Sequence, residues 1–356
     1  MEAPETGQGR AVGQVLVAVF VILFAFTAVL VLASIPAGAY AIYSGKLSAT
    51  FTSASLVRPF FWVGPIVFFA PLTLAAGAFF AILSFVYVAF LVYGARQAVR
   101  PWTAVSNSFK GGFGALTASP FVVMITSIAF LTFTASIIDA LISSAGVPIG
   151  GISGDPLKLL LGFTASPLVE ELGFRVALVG IVALILSVGR PWKEALGALW
   201  RPSKVTQGLA VGSGVSIIIW AATAFSAVTF GACHVVCGGG AWDIGKLPEA
   251  AYGGFVLGYL YVKYGLHVAV IAHWGVDYFG SAFAFFGQAA YGVPWNSGTS
   301  EFVGQYLVDV DVLLLFGLAS FIAVVYIGVK RHASRKAEDA TGALVKAPSY
   351  DGEAST

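Results

Sequence analysis

Seven ionisable side chains fall within stretches of this sequence that are otherwise apolar: Asp139, Glu170, Glu171, Arg175, His234, His273 and Asp277. Charge in such surroundings is costly, and a residue that carries it there is a functional candidate by default. Six of the seven form three short patterns. In Glu170-Glu171-Leu172-Gly173-Phe174-Arg175, Glu171 and Arg175 stand four apart and meet on one helix face. Arginine stays charged when buried, so Arg175 holds Glu171 ionised and offsets part of its desolvation. Glu170 points about 100° away from that pair and is left free for chemistry. Neighbouring carboxylates repel, and sharing one proton relieves the repulsion; a group so placed suits a general base working near neutrality. A Glu–Arg pair that merely staples two helices is the bland alternative, but a staple needs one Glu, not two.

The second pattern, Phe230-Gly231-Ala232-Cys233-His234, puts an aromatic ring and an imidazole on one helix face, where the ring can fix the rotamer of His234. Alone it means little, because a single helical His is more often a satisfied core group. The third, His273-Trp274-Gly275-Val276-Asp277, places a carboxylate four residues after a His. Asp277 can then fix the tautomer of His273, both can face a common site, or the two can form a polar clamp between helices. Two His and two Glu on three apolar helices can converge on one water, giving a base, a polarising pair and an oxyanion stabiliser. With a divalent metal such as zinc, Glu170, His234 and His273 would be the ligands of a hydrolase site with an open position. The residues do not choose between metal-bound and metal-free water. Asp139 has no evident partner, and His267, at the start of its apolar run, reads as interfacial. Cys233 and Cys237 are too few for a disulfide framework and read as small packing residues, with a metal site as the lesser alternative.

The surroundings of these residues define their solvent. The chain has 356 residues, 58% of them hydrophobic and 10% charged, against about 25% charged in an ordinary soluble domain. Its mean hydropathy is +0.89. So few charges cannot cover a water-facing surface, so most of the chain is solvated by lipid. A net charge of +2, with no basic stripe, excludes nucleic-acid binding.

Apolar runs predict an all-α, polytopic bundle of about eight spanning helices, near 12–36, 66–94, 119–143, 159–188, 208–236, 248–263, 265–288 and 308–329. The first run is too long for a signal h-region of about 7–15 residues, so a retained helix is expected rather than cleavage at Pro36-Ala37-Gly38-Ala39. Phe60-Phe61-Trp62 suits an interface before the second span, and Pro71 either kinks that span or ends a short re-entrant piece. Pro167 and Gly231 are the expected places for irregular backbone beside a cavity. Gly150-Gly151 and Gly238-Gly239-Gly240 read as turns, since neither has the Lys-Ser or Lys-Thr of a phosphate loop.

With both termini in the cytoplasm, the inner segments hold Arg10, Arg96, Arg100, Lys110, Arg190, Lys193, Arg201, Lys204, Lys263, Lys330, Arg331, Arg335, Lys336 and Lys346. The outer ones hold Lys46, Arg58, Lys158 and Lys246, fourteen cations against four. The expected organisation is a polar N-terminal segment (1–11), N-terminal transmembrane helices (12–150), a catalytic core (151–290), an outer loop and last helix (291–329), and a polar cytoplasmic tail (330–356). The implied location is an integral multi-pass membrane protein, in the plasma membrane if the cell is prokaryotic.

Together the three motifs resemble the CPBP membrane proteins, the CAAX-protease and bacteriocin-processing family that includes Rce1-type prenyl-protein endopeptidases. That family shows Glu-Glu-x-x-x-Arg, Phe-x-x-x-His and His-x-x-x-Asn/Asp in this order on successive core helices, and the resemblance covers roughly residues 158–290. It implies a metallopeptidase-like intramembrane endopeptidase acting on a membrane-associated substrate, which a prenylated CAAX-type peptide would exemplify, with membrane lipid as its other partner. By position, Glu170 would activate water; His234 would orient it or bind metal; His273 and Asp277 would bind metal or stabilise the oxyanion; Glu171, Arg175 and Phe230 would support them. Rce1-type members usually carry Asn where this chain has Asp277. An ionised carboxylate cannot donate to an oxyanion, so Asp277 weakens the case for prenylated substrates specifically. Two other readings stand beside this one. A proton-coupled transporter would use the same charges as a relay but should show repeat symmetry, which the sequence lacks. A non-catalytic membrane scaffold or immunity protein would keep the fold alone.

Overall fold

The structure, a computed structural model, describes residues 7–206, 214–238, 240–296 and 312–329. The expected outer loop up to residue 311, the cationic tail from Lys330 and the first six residues lie outside the described residues. Helices dominate: α1 (Gly7–Tyr43), α2 (Ala76–Arg96), α3 (Pro101–Gly111), α4 (Pro120–Ser144) and α5 (Pro156–Glu170). The last runs on as a π-helical stretch (Glu171–Gly180) and a closing α turn (Ile181–Ile185). Then come α6 (Trp192–Trp200), α7 (Gly214–Cys233) with a π-helical end (His234–Gly238), α8 (Lys246–Tyr264), α9 (Leu266–Tyr291) and α10 (Val312–Val329).

Six helices among the described residues are long and apolar enough to cross a membrane: α1, α2, α4, α7 with its π-helical end, α9 and α10. The chain is an integral, multi-pass helical membrane protein. The other two expected spans are also helical. They are α5 with its extension, which carries Lys158, Glu170, Glu171 and Arg175, and α8, which carries Lys246, Glu249 and Lys263.

Three boundaries differ from expectation. Helix α1 begins at Gly7, inside the segment expected to be polar and separate, and runs unbroken through Pro36. It is bound into the core there: Tyr278 donates to the Ser34 carbonyl at 3.1 Å, and its hydroxyl fills the space beside Gly38. The second span starts at Ala76 rather than near 66. In its place stands an antiparallel hairpin, β2 (Phe60–Val63) with β3 (Ile66–Phe69), following β1 (Leu56–Val57) and preceding β4 (Leu74–Ala75), which pairs with β1. The apolar run misleads because alternating aromatic and β-branched residues serve a strand as well as a helix. Gly64 at positive φ makes the turn, and Pro71 lies in the bend after β3. Finally, Gly150–Gly151 (β5) pairs with Ala241–Trp242 (β6), tying the loop after α4 to the one before α8.

Helix α9 is the central element. Every residue from Leu266 to Gly275 is buried. Trp274 is sandwiched between Tyr87 of α2 and Tyr278, with centroids 4.9 and 4.8 Å away. Its N-terminal turn is not interfacial, as expected of His267. That ring is fully buried, stacked on Trp200 at 5.5 Å, because α6 folds back over the α8–α9 turn.

Without a hydrophobic drive between helices in lipid, close approach at small residues supplies contact. A Cβ on Gly231 of α7 would lie 2.7 Å from the Leu247 carbonyl oxygen and 2.8 Å from the Ala251 amide of α8. Gly231→Val is therefore expected to destabilise the protein by about 1–3 kcal/mol through overpacking. Gly162→Ala, in α5 with nothing within 4 Å of the added carbon, should be neutral or gain up to about 1 kcal/mol. Thermal unfolding in detergent compares the two.

Candidate active site

The motif residues come together where α5, α7, α8 and α9 meet. Pro167 has no amide hydrogen to donate, and four residues later the helix widens into its π-helical stretch at Glu171. Widened turns often mark functional sites. The second one, at His234–Gly238, begins three residues after Gly231. Both irregularities thus lie just beyond the residues expected to cause them, and both hold motif side chains.

Glu171 is fully buried and divided between two partners. Its Oε2 lies 3.3 Å from Arg175 Nε, and its Oε1 accepts from His273 Nδ1 at 2.9 Å. Arg175, also fully buried, donates to the Gly254 carbonyl at 3.3 Å and lies 4.3 Å from the Phe230 ring centre. Arg175 is thus tied to α8 and α7, and the ion pair sits beneath an aromatic face. His273 is oriented from a different helix than expected. Its hydrogen bond goes to Glu171, and its other nitrogen, Nε2, lies 3.7 Å from Glu170 Oε2 and 3.5 Å from Asp277 Oδ2. Glu170 keeps 17% and Asp277 28% side-chain exposure, so both can meet water.

His234 Nδ1 lies 3.0 Å from the Phe230 carbonyl oxygen, one turn back. A backbone carbonyl only accepts, so Nδ1 carries the hydrogen and Nε2 keeps its lone pair. Phe230 packs edge-on against His234 at 4.6 Å and His273 at 5.7 Å, spacing the imidazoles. A cavity of about 90 Å³ lies between them, lined by His234, His273 and Asp277 with Lys246, Glu249 and Tyr252 of α8. Glu170 reaches this group through its contact with His273.

The structure supplies two features that the motifs did not reveal. One is the β2–β3 hairpin. Gly64 donates to the Gly173 carbonyl at 3.0 Å, and Trp62 lies directly over Gly173, where a Cβ would collide with it. The hairpin thus reaches the π-helical stretch beside Glu170. The other is the polar mouth of the cavity, where Lys246 and Glu249 form an ion pair and Asp139 of α4 lies within their electrostatic reach. Asp139 makes no ion pair there, and its Oδ1 has no hydrogen-bond partner among the described residues.

The cysteines correct another expectation: Cys233 and Cys237 are joined by a disulfide, with Cα atoms 4.7 Å apart. The bridge closes the π-helical end of α7, one turn across, around His234. For a metal, donor chemistry is present, but its arrangement does not fit. Among the described residues no three His, Cys, Asp or Glu side chains could hold an ion together. Glu171 is committed to Nδ1 of His273, while Glu170 and Asp277 both approach its Nε2.

Removing one partner of a buried ion pair strands the other charge. Arg175→Met is expected to lower stability by about 3–5 kcal/mol. Adding Glu171→Leu should recover part of that loss, because the stranded carboxylate goes with it. Unfolding in detergent of the single and double variants provides the check.

Residues 152–279 match the family model described as type II CAAX prenyl endopeptidase Rce1-like. No curated protein and no solved structure matches the chain. The matched stretch contains all three motifs, both π-helical stretches and the first half of α9. Over residues 152–279, this membrane protein is similar to the Rce1-like type II CAAX prenyl endopeptidases that the family model describes.

Proposed function

We propose that the protein is an intramembrane endopeptidase that hydrolyses a peptide bond in a membrane-associated substrate, with Glu170 as the base that activates water. The observation that carries this is the division of labour between adjacent carboxylates. Glu171 is fully buried and spent on Arg175 and His273, whereas Glu170 is part-exposed and has no hydrogen-bonded partner among the described residues. A water beside Glu170 Oε2 would give up its proton there as its oxygen attacks the scissile carbonyl carbon. The C–N bond then breaks, and Glu170 passes that proton to the departing amine nitrogen. His234 assists through its Nε2 lone pair, which accepts a hydrogen bond from the water and orients it. His273, held by Glu171, supplies the polar wall against which charge develops.

Glu170→Gln removes the base and keeps the shape. It is expected to abolish cleavage of a quenched fluorescent peptide, while His234→Ala lowers it by roughly 10²-fold or more, the usual range for a proton-handling group. Both proteins should insert and unfold like the parent. A Glu170→Gln protein that cleaves as fast as the parent would overturn the assignment. A scaffold or immunity role would show no cleavage by the parent itself.

No step is routed through a metal. The donor geometry leads to the expectation that activity survives exhaustive chelation. Activity lost with chelator and restored by zinc would instead show that Glu170, His234 and His273 regroup around an ion.

A further inference from the structure

We infer that the catalytic cavity opens to the extracytoplasmic face, and that its substrate is a membrane-anchored peptide presented on that face rather than a cytoplasmic prenylated C-terminus. The inference rests on the endopeptidase reading for the word substrate, but its geometry does not.

Three observations point the same way. First, the distribution of Lys and Arg puts the α4–α5 and α7–α8 connections outside, and the cavity extends toward the second of them, to Lys246 at the start of α8. From His273 it passes His234 and reaches Lys246 and Glu249 in the first turn of α8, beside Asp139 near the outer end of α4. Three charges at one end of a cavity in an otherwise apolar bundle require water there. The opposite direction is closed: Leu266 to Gly275 is buried without a gap, and Trp200 and Tyr93 pack on His267 at 5.5 and 4.9 Å.

Second, the disulfide lies at the same end. It spans Cys233 to Cys237, encloses His234, and precedes the β5–β6 pairing that closes the loop. Disulfides form and persist in oxidising compartments and are rare where thioredoxin and glutathione keep thiols reduced. A thiol pair at a cytoplasmic cavity mouth would stay reduced.

Third, the non-helical backbone enters from that face. The hairpin follows the outer end of α1 and precedes the outer end of α2, and Ser48 near its base bonds to Asp155 at the start of α5. Its tip descends to Gly173. Strand backbone at this depth is tolerated where it packs on protein or lines a watered space, so the bundle on this side is already built to admit a second extended segment next to Glu170.

The two native cysteines are both in the disulfide, so a single introduced cysteine is the reactive thiol. Asp243→Cys and Ala145→Cys, both exposed near the cavity mouth, and Lys193→Cys, exposed on α6, would be treated with a membrane-impermeant maleimide in right-side-out and inverted vesicles. The expectation is that the first two label only in right-side-out vesicles and the third only in inverted ones; the reverse pattern overturns the inference. The same vesicles are then given an acylated, quenched peptide from outside. Cleavage confined to right-side-out vesicles supports the substrate assignment, and cleavage confined to inverted ones sinks it. No cleavage in either, with outward labelling intact, removes the substrate claim and the endopeptidase reading while leaving the orientation of the cavity in place.

Discussion

The site depends on one carboxylate that does no chemistry. Glu171 is fully buried, and its two oxygens are claimed by Arg175 on one side and His273 on the other. Each partner comes with its own scaffold. Arg175 holds α5 to α8 through the Gly254 carbonyl and to α7 through the Phe230 ring; His273 brings α9. An unpaired carboxylate in this environment would cost several kcal/mol, so the three helices that carry the motifs are constrained to one another through Glu171. That constraint leaves Glu170 part-exposed, with its neighbour turned toward the interior.

The helical widenings serve the same end. In an unbroken α-helix every carbonyl is taken by the amide four residues on. A π-helical stretch shifts that pairing and presents backbone groups to outside partners. Here the Gly173 carbonyl accepts from Gly64 of the hairpin, and the Phe174 carbonyl accepts from Ser226 of α7 at 2.8 Å. The widening thus recruits a strand and a helix from elsewhere in the chain to the same two residues, and Gly173 has no side chain to keep the strand away. In lipid, where an unmet backbone group has no water to turn to, such compensation is a condition for the irregularity to exist at all.

Much of the fold was legible because membrane solvent leaves a coarse signature: runs of apolar residues located the six described helices long and apolar enough to cross a membrane, except for the start of the second. That run failed at Phe60–Phe69, where aromatic and β-branched residues in apolar surroundings suit strand and helix alike and only Gly64-Pro65 hinted at a turn. The site was legible to the extent that its chemistry is local. Glu171 with Arg175 and Phe230 with His234 are pairs within one turn, and both contacts exist. Long-range partners were not legible. His273 reaches back 102 residues to Glu171 instead of forward four to Asp277, Asp139 lies within electrostatic reach of Lys246 and Glu249 across the bundle, and His267 is covered by an amphipathic helix whose packing no local pattern announces. The disulfide was missed for a related reason: on a regular helix Cys233 and Cys237 simply share a face, and the bridge comes with the widened turn at His234–Gly238.

Asp277 stands where the Rce1-type motif that the sequence resembles usually carries Asn, and its surroundings show what a carboxylate meets there. Asp277 and Glu170 approach the same nitrogen of His273, at 3.5 and 3.7 Å, while Glu171 holds the other. An amide at 277 could donate a hydrogen bond into the cavity; an ionised carboxylate can only accept. It therefore adds a second negative group around a single imidazole and makes His273 the hub of three carboxylates. Asp277, with 28% side-chain exposure, lines the same cavity as Lys246 and Glu249. The substitution thus moves the balance of the site from an amide-lined pocket toward a hydrated, charged one. It does so at the mouth that the disulfide and the hairpin also share, so the one departure from the motif and the two features outside it act on the same side of the molecule.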